Sequence, residues 1–204
     1  MNEVETQALD RRDFFKKSAL FGLGLAAVST LSMPVMAEAA TMSKGPKHDL
    51  YLLNFALNAE HQAIAAYQVG AESKLLSPAL LKVALSFQAD HEAHAAILAE
   101  TIKKLGGTAV APKIPLKSPM TELAAKWGFP LDKLKTQDDV LHFAAGLEVG
   151  AAKAYLGTVP QFSNPDLAHA AANIEGDEAM HFAVLRSALG EFPVPAAFIS
   201  AMPS

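Results

Sequence analysis

The sequence contains no cysteine. That excludes disulfide frameworks, thiolate-bound zinc or iron–sulfur clusters, a cysteine nucleophile and a lipidated cysteine anchor. β-Branched residues are sparse beside an abundance of alanine, which disfavours sheet and favours helix. There is no basic run, and 17 Lys and Arg stand against 21 Asp and Glu for a net charge of −4. Such a chain is a poor candidate for binding nucleic acid or anionic lipid. An unbroken apolar run of membrane-spanning length is also missing. The stretch from Ala19 to Met36 is interrupted by Gly22, Gly24, Ser29, Thr30 and Pro34.

That stretch follows a charged start, Leu9-Asp10-Arg11-Arg12-Asp13-Phe14-Phe15-Lys16-Lys17, and leads into the small-x-small exit Ala37-Glu38-Ala39. The order reads as a secretory signal over residues 1–39, cleaved near Ala39, rather than as a stable membrane anchor. Arg11-Arg12 with Phe14 two residues on resembles the twin-arginine signal. The resemblance implies the twin-arginine export machinery as a partner and a periplasmic or otherwise exported destination. It also implies transport in the folded state, often with a cofactor already inserted.

The expected order is then a linker over 40–47, a helical domain over 48–190 and a proline-containing tail over 191–204, running as an extended strip. Helix one covers about Asp49 to Glu72, with Leu53, Leu57, Ile64 and Tyr67 as its apolar stripe. Ser77-Pro78 supplies a cap and first-turn proline for helix two, which runs to about Leu105 before Gly106-Gly107. Thr136 and Asp139 form a capping-box start for helix three, which fades near Thr158-Val159-Pro160. Asn164-Pro165 opens helix four, and Gly190 stops it. A long Pro- and Lys-rich stretch containing Trp127 separates helices two and three, and a loop of that length has to cross a domain. Two short connections and one long one predict an all-α four-helix bundle with a crossover between helices two and three.

Polar residues interrupt the apolar stripes where a core is expected. Glu60 lies between Leu57 and Ile64, and Glu148 between Ala145 and Ala152. On helix two, Asp90, His91 and His94 fall within an arc of about 100° beside Phe87, Ile97 and Leu98. On helix four, Asp177, Glu178 and His181 do the same beside Ile174, Val184 and Leu185. Glu60 and Tyr67 recur eighty-eight residues later as Glu148 and Tyr155, and the two clusters recur at eighty-seven, so each half of the chain supplies one side of a centre. Burying several facing carboxylates without partners costs several kcal/mol each, roughly, and a shared cation or a dense hydrogen-bond network offsets that. Carboxylates with neutral imidazoles suit iron or manganese first, with zinc also open. Tyr67 and Tyr155, two turns from the glutamates, could donate to a carboxylate on a neighbouring helix or simply fill the core. His61 lies about 100° round the helix from Glu60 and is expected at the rim. His48, His142 and His169 read as structural or solvated, and Glu92 as surface.

The order Glu60, then His94, then Glu148, then Glu178 with His181 on four successive helices resembles the ferritin-like superfamily, rubrerythrin- and ferritin-type dinuclear carboxylate bundles. More narrowly, it is similar to exported bacterial ferritin-like domain proteins with a twin-arginine leader. The resemblance spans about Asp49 to Leu189 and implies that Glu60, His94, Glu148, Glu178 and His181 are ligands of a dinuclear iron or manganese centre. His91 stands where the family carries a bridging glutamate, and an imidazole offers one lone pair where a carboxylate offers two oxygens. One metal, two loosely coupled metals or a different metal are then all open, and Asp90 or Glu175 could replace the lost carboxylate. If redox-active, the resemblance implies an oxidoreductase whose metals react with dioxygen or peroxide. Metal sequestration and a non-catalytic structural or interaction role remain alternatives, and a homodimer is an open assembly.

Overall fold

The computed structural model describes residues 41–203, so the expected signal over 1–39 lies outside the described residues. The described chain is all-helical. Four long helices, α1 (Pro46–Glu72), α2 (Pro78–Lys104), α4 (Gln137–Thr158) and α5 (Pro165–Ala188), form the bundle, and a short α3 (Met120–Trp127) lies in the crossover. None of them is long and apolar enough to cross a membrane.

Local chemistry sets most boundaries. Ser77 accepts from the Leu80 N–H ahead of Pro78, and Asn164 accepts from the Asp166 N–H ahead of Pro165. Thr136 and Asp139 make the reciprocal capping box at the start of α4. Gly190, at φ 74°, takes the left-handed conformation that closes α5. Helix α1 begins earlier than Asp49, at Pro46, because a proline in the first turn needs no intrahelical partner for its nitrogen. The tail is not wholly extended. It carries a 3-10 turn at Ile199–Ala201, and Lys153 donates to the Met202 carbonyl to hold it against α4.

The bundle is two antiparallel hairpins, α1 with α2 and α4 with α5, joined face to face. One apolar cluster gathers Leu52, Leu57, Ile64, Leu98, Ile102 and Ile174. A second gathers Phe87, Leu141, Val149, Phe182 and Leu185 with Tyr67. His91 on α2 and Glu178 on α5 stand where the first cluster gives way to the second, while Glu60 on α1 lies within the first and Glu148 on α4 within the second, so apolar side chains flank all four. The crossover holds a helix that the sequence pattern did not single out. Eight residues give too short a period to stand out among prolines and lysines. Leu123, Ala124 and Trp127 nevertheless bury against Ala65, Ala66 and Val69 on the outer side of α1, and Gly128, at φ 78°, ends the turn.

Asp49, buried in the first turn of α1, ties the two hairpins together at one end. Its carboxylate accepts from Ser163 N at 2.8 Å, Ser163 Oγ at 2.6 Å and Asn164 N at 3.1 Å, just ahead of α5. Asp49→Ala would leave these donors without their acceptor, and is expected to lower the unfolding free energy by about 2–4 kcal/mol in urea titration. A change below half a kcal/mol would contradict the tie, roughly the noise of exposed-site substitutions.

Candidate metal centre

Glu60 on α1, His91 and His94 on α2, Glu148 on α4, and Glu178 and His181 on α5 converge in the middle of the bundle. Glu148 is 1 % exposed and Glu178 0 %, so water screens neither charge. Two overlapping donor sets form. Glu60, His91, His94 and Glu178 can present atoms to one position, and His91, Glu148, Glu178 and His181 to another. His91 and Glu178 are common to both.

The tyrosines donate crosswise. The Tyr67 hydroxyl of α1 donates to Glu148 Oε1 on α4, and the Tyr155 hydroxyl of α4 donates to Glu60 Oε1 on α1. Each half of the repeat thus orients the other half's glutamate. Burial, reinforced by the neighbouring carboxylates, pushes both phenols well above their ordinary pKa, so they stay protonated donors.

The histidines are also oriented crosswise, from outside. His181 Nε2 lies 3.3 Å from Asp90 Oδ2, and His94 Nε2 lies 3.3 Å from Asp177 Oδ2. A carboxylate at Nε2 holds the proton there and leaves the Nδ1 lone pair facing the centre. Asp90 therefore lies beside His181 at the outer edge, apart from the two inner donor sets. Asp90, Asp177 and His181 make a third, outer grouping. Glu175 joins none of the three groupings found among the described residues. Exposure rises outward from Glu178 to His94 at 15 % and Asp90 at 47 %, which places the solvent-facing side between α2 and α5.

Several buried atoms here have no hydrogen-bond partner: His94 Nδ1, His181 Nδ1, Glu148 Oε2 and both oxygens of Glu178. All are lone-pair donors aimed at the two positions, and native interiors leave few such atoms unsatisfied. Burial and the negative charge of Glu148 push the Glu178 carboxyl well above the usual carboxylate range. Burial alone would raise Glu148 and Glu60 too, but the His91 ring, with His181 at Glu148 and His94 at Glu60, holds both below that range. For His91 burial is again the largest effect and would lower it. Glu148, Glu60 and Glu178 together override it and hold the ring well above its ordinary value. Of the three carboxylates, Glu178 is the one whose negative charge is least compensated by its protein neighbours, and the centre keeps several unpartnered lone pairs. The buried His and Glu cluster fits a metal-binding site.

A matching family model settles the kinship. The model for ferritin-like domains matches residues 48–191, more than half of the chain. The chain belongs to the ferritin-like domain family. No curated protein matches it. Among solved structures, this ferritin-like chain is similar to a ferritin-like, diiron-carboxylate protein of Bacillus anthracis, at 25% identity and a TM-score of 0.56, over 72% of this chain and 99% of that one. It is also similar to a conserved hypothetical protein of Mycobacterium tuberculosis, at 21% identity and a TM-score of 0.58, over 74% of this chain and 96% of that one, which bears on the fold alone.

Three placements differ from the sequence reading. His61 is 8 % exposed rather than at the rim, because Leu116 and Lys117 of the crossover line the same cavity over the α1–α2 face. Ile97 and Val184 are 52 % and 44 % exposed rather than packed beside the centre, since the arc they share with His94 and His181 turns outward past the histidines. Phe87, Leu98, Ile174 and Leu185 are buried as the pattern requires, and Phe87 stacks on His181 at 3.9 Å between ring centroids. The crosswise pairing of Asp90 and Asp177 was missed, because one helix's wheel carries no information about which residue of another helix it faces.

Glu178 gives a direct test of the surplus charge. Glu178→Gln is expected to stabilise the chelator-treated protein by about 1–4 kcal/mol, read as a raised melting temperature. A lowered melting temperature would mean that the carboxylate is already satisfied by its protein neighbours.

Proposed function

We propose that this is an exported metalloprotein whose bundle centre holds iron or manganese and reacts with dioxygen or peroxide. The observation that carries the reading is the convergence of unpartnered His94 Nδ1, His181 Nδ1, Glu148 Oε2 and Glu178 oxygens in a sealed interior. Mixed imidazole and carboxylate donors favour first-row metals of this kind, and zinc satisfies the same set without redox chemistry. The likeness to a ferritin-like, diiron-carboxylate protein supports a dinuclear centre.

In this reading Glu60, Glu148 and Glu178 neutralise the cations, and His94 and His181 complete their coordination. Bound iron or manganese would supply electrons to the oxidant. The chain's own residues do the rest. Tyr67 and Tyr155 fix the terminal glutamates, Asp90 and Asp177 fix the imidazole tautomers, and the apolar clusters on either side exclude bulk water. An oxidant would enter between α2 and α5, where Asp90 and Asp177 meet solvent. Arg11-Arg12 and the apolar run after them support export through the twin-arginine route to the periplasm.

One observation favours a second reading, a bundle that has given up metal. Both ring nitrogens of His91 lie at carboxylates, so a protonated ring could serve as the counter-charge. Metal analysis of the protein purified from its exporting host separates the two. About two equivalents of iron or manganese support the proposal, and less than half an equivalent sinks it. If iron is found, mixing the reduced protein with peroxide or dioxygen should bleach or develop ferric absorption rapidly. No spectral change would leave sequestration as the function, and zinc alone would remove the redox chemistry.

A further inference from the structure

The sequence repeat makes the two metal positions look equivalent, with His94, Glu60 and Tyr155 on one side and His181, Glu148 and Tyr67 on the other. His91 breaks that equivalence. It occupies the place that Glu178 occupies in the other half, but its ring has two chemically different nitrogens.

His91 Nδ1 lies 2.8 Å from Glu60 Oε2, a full hydrogen bond, whereas Nε2 lies 3.4 Å from Glu148 Oε1. The shorter contact assigns the ring proton to Nδ1, which donates to Glu60 and is thereby removed from coordination. Nε2 makes the looser contact, so its proton is the one a metal would displace, leaving a lone pair that faces Glu148. Glu148 Oε1 already accepts from Tyr67, so the 3.4 Å contact from His91 Nε2 is the weaker of its two and the one that a cation would replace.

The glutamates divide the same way. Both oxygens of Glu60 are engaged, Oε1 by Tyr155 and Oε2 by His91. Glu148 keeps Oε2 unpartnered, 3.5 Å from the equally unpartnered His181 Nδ1. The α4–α5 side also sits deeper, with His181 at 4 % exposure against 15 % for His94.

We infer that the two positions are unequal. The one formed by His91 Nε2, Glu148, Glu178 and His181 binds a divalent first-row metal tightly. The one formed by Glu60, His94 and Glu178 binds a second metal weakly and keeps room for an exogenous ligand. This rests on the metal-binding reading above and adds to it an order of filling and an open side.

The test is a titration of metal-free full-length protein with Mn2+, following free Mn2+ by electron paramagnetic resonance, and with Co2+, following its visible bands. Wild type should fill in two steps separated by about tenfold or more in affinity, the scale on which one interaction at a metal site is felt. His94→Ala should lose the weak step and keep the tight one. His181→Ala should lose the tight step, and with it the more intense, lower-coordinate Co2+ bands. Equal weakening of one shared step by both variants would overturn the inference while leaving the metal-binding reading intact. Absence of any binding by wild type would overturn both. Circular dichroism checks that each variant is folded. If His181→Ala is not, Glu148→Gln against Glu60→Gln makes the same comparison, with Glu148→Gln expected to cost the tight step.

Discussion

Three glutamates buried side by side govern this molecule. Glu60, Glu148 and Glu178 each come from a different long helix, and all are buried among the side chains of the two apolar clusters. Repulsion and lost hydration would push such helices apart, so everything around the carboxylates serves to compensate them. Two phenols donate, and His91 lies within 3.5 Å of an oxygen of each glutamate. Glu178 is the one whose oxygens both lack a hydrogen-bond partner. A cation would complete its environment, and the buried His and Glu cluster fits such a site.

The compensation is arranged across the two hairpins rather than within them. Tyr67 of α1 holds a glutamate of α4, and Tyr155 of α4 holds a glutamate of α1. Asp90 of α2 faces a histidine of α5, and Asp177 of α5 faces one of α2. Neither hairpin can form its half of the centre alone. The same contacts that orient the ligands therefore couple docking of the hairpins to assembly of the site. Apolar plugs above and below make the arrangement rigid, because close-packed side chains leave the ligand-bearing turns little room to shift.

Much of this was legible in the residues. Helix boundaries rest on local chemistry, such as Ser77-Pro78, the Thr136–Asp139 box and Gly190, and a single sequence displays local chemistry directly. The inward positions of Glu60, Glu148 and Glu178 followed from their phase with Leu57, Ile64 and Ala152. What depends on how one element lies over another was not legible. The burial of His61 depends on the crossover passing over it, and α3 is too short to show a period. The outward turn of Ile97 and Val184, and the roles of Asp90 and Asp177, are likewise set by the angle and register between α2 and α5.

The central claim is that the bundle interior stores unsatisfied negative charge that a divalent cation relieves. Thermal unfolding of metal-free protein at increasing Mn2+ or Fe2+ under anaerobic conditions tests it most directly. If the claim is right, stability climbs continuously with metal concentration, by about 2.7 kcal/mol at a hundredfold excess over the dissociation constant. A melting temperature that stays level to millimolar metal would show that the carboxylates and imidazoles satisfy one another without a cation, contrary to the account.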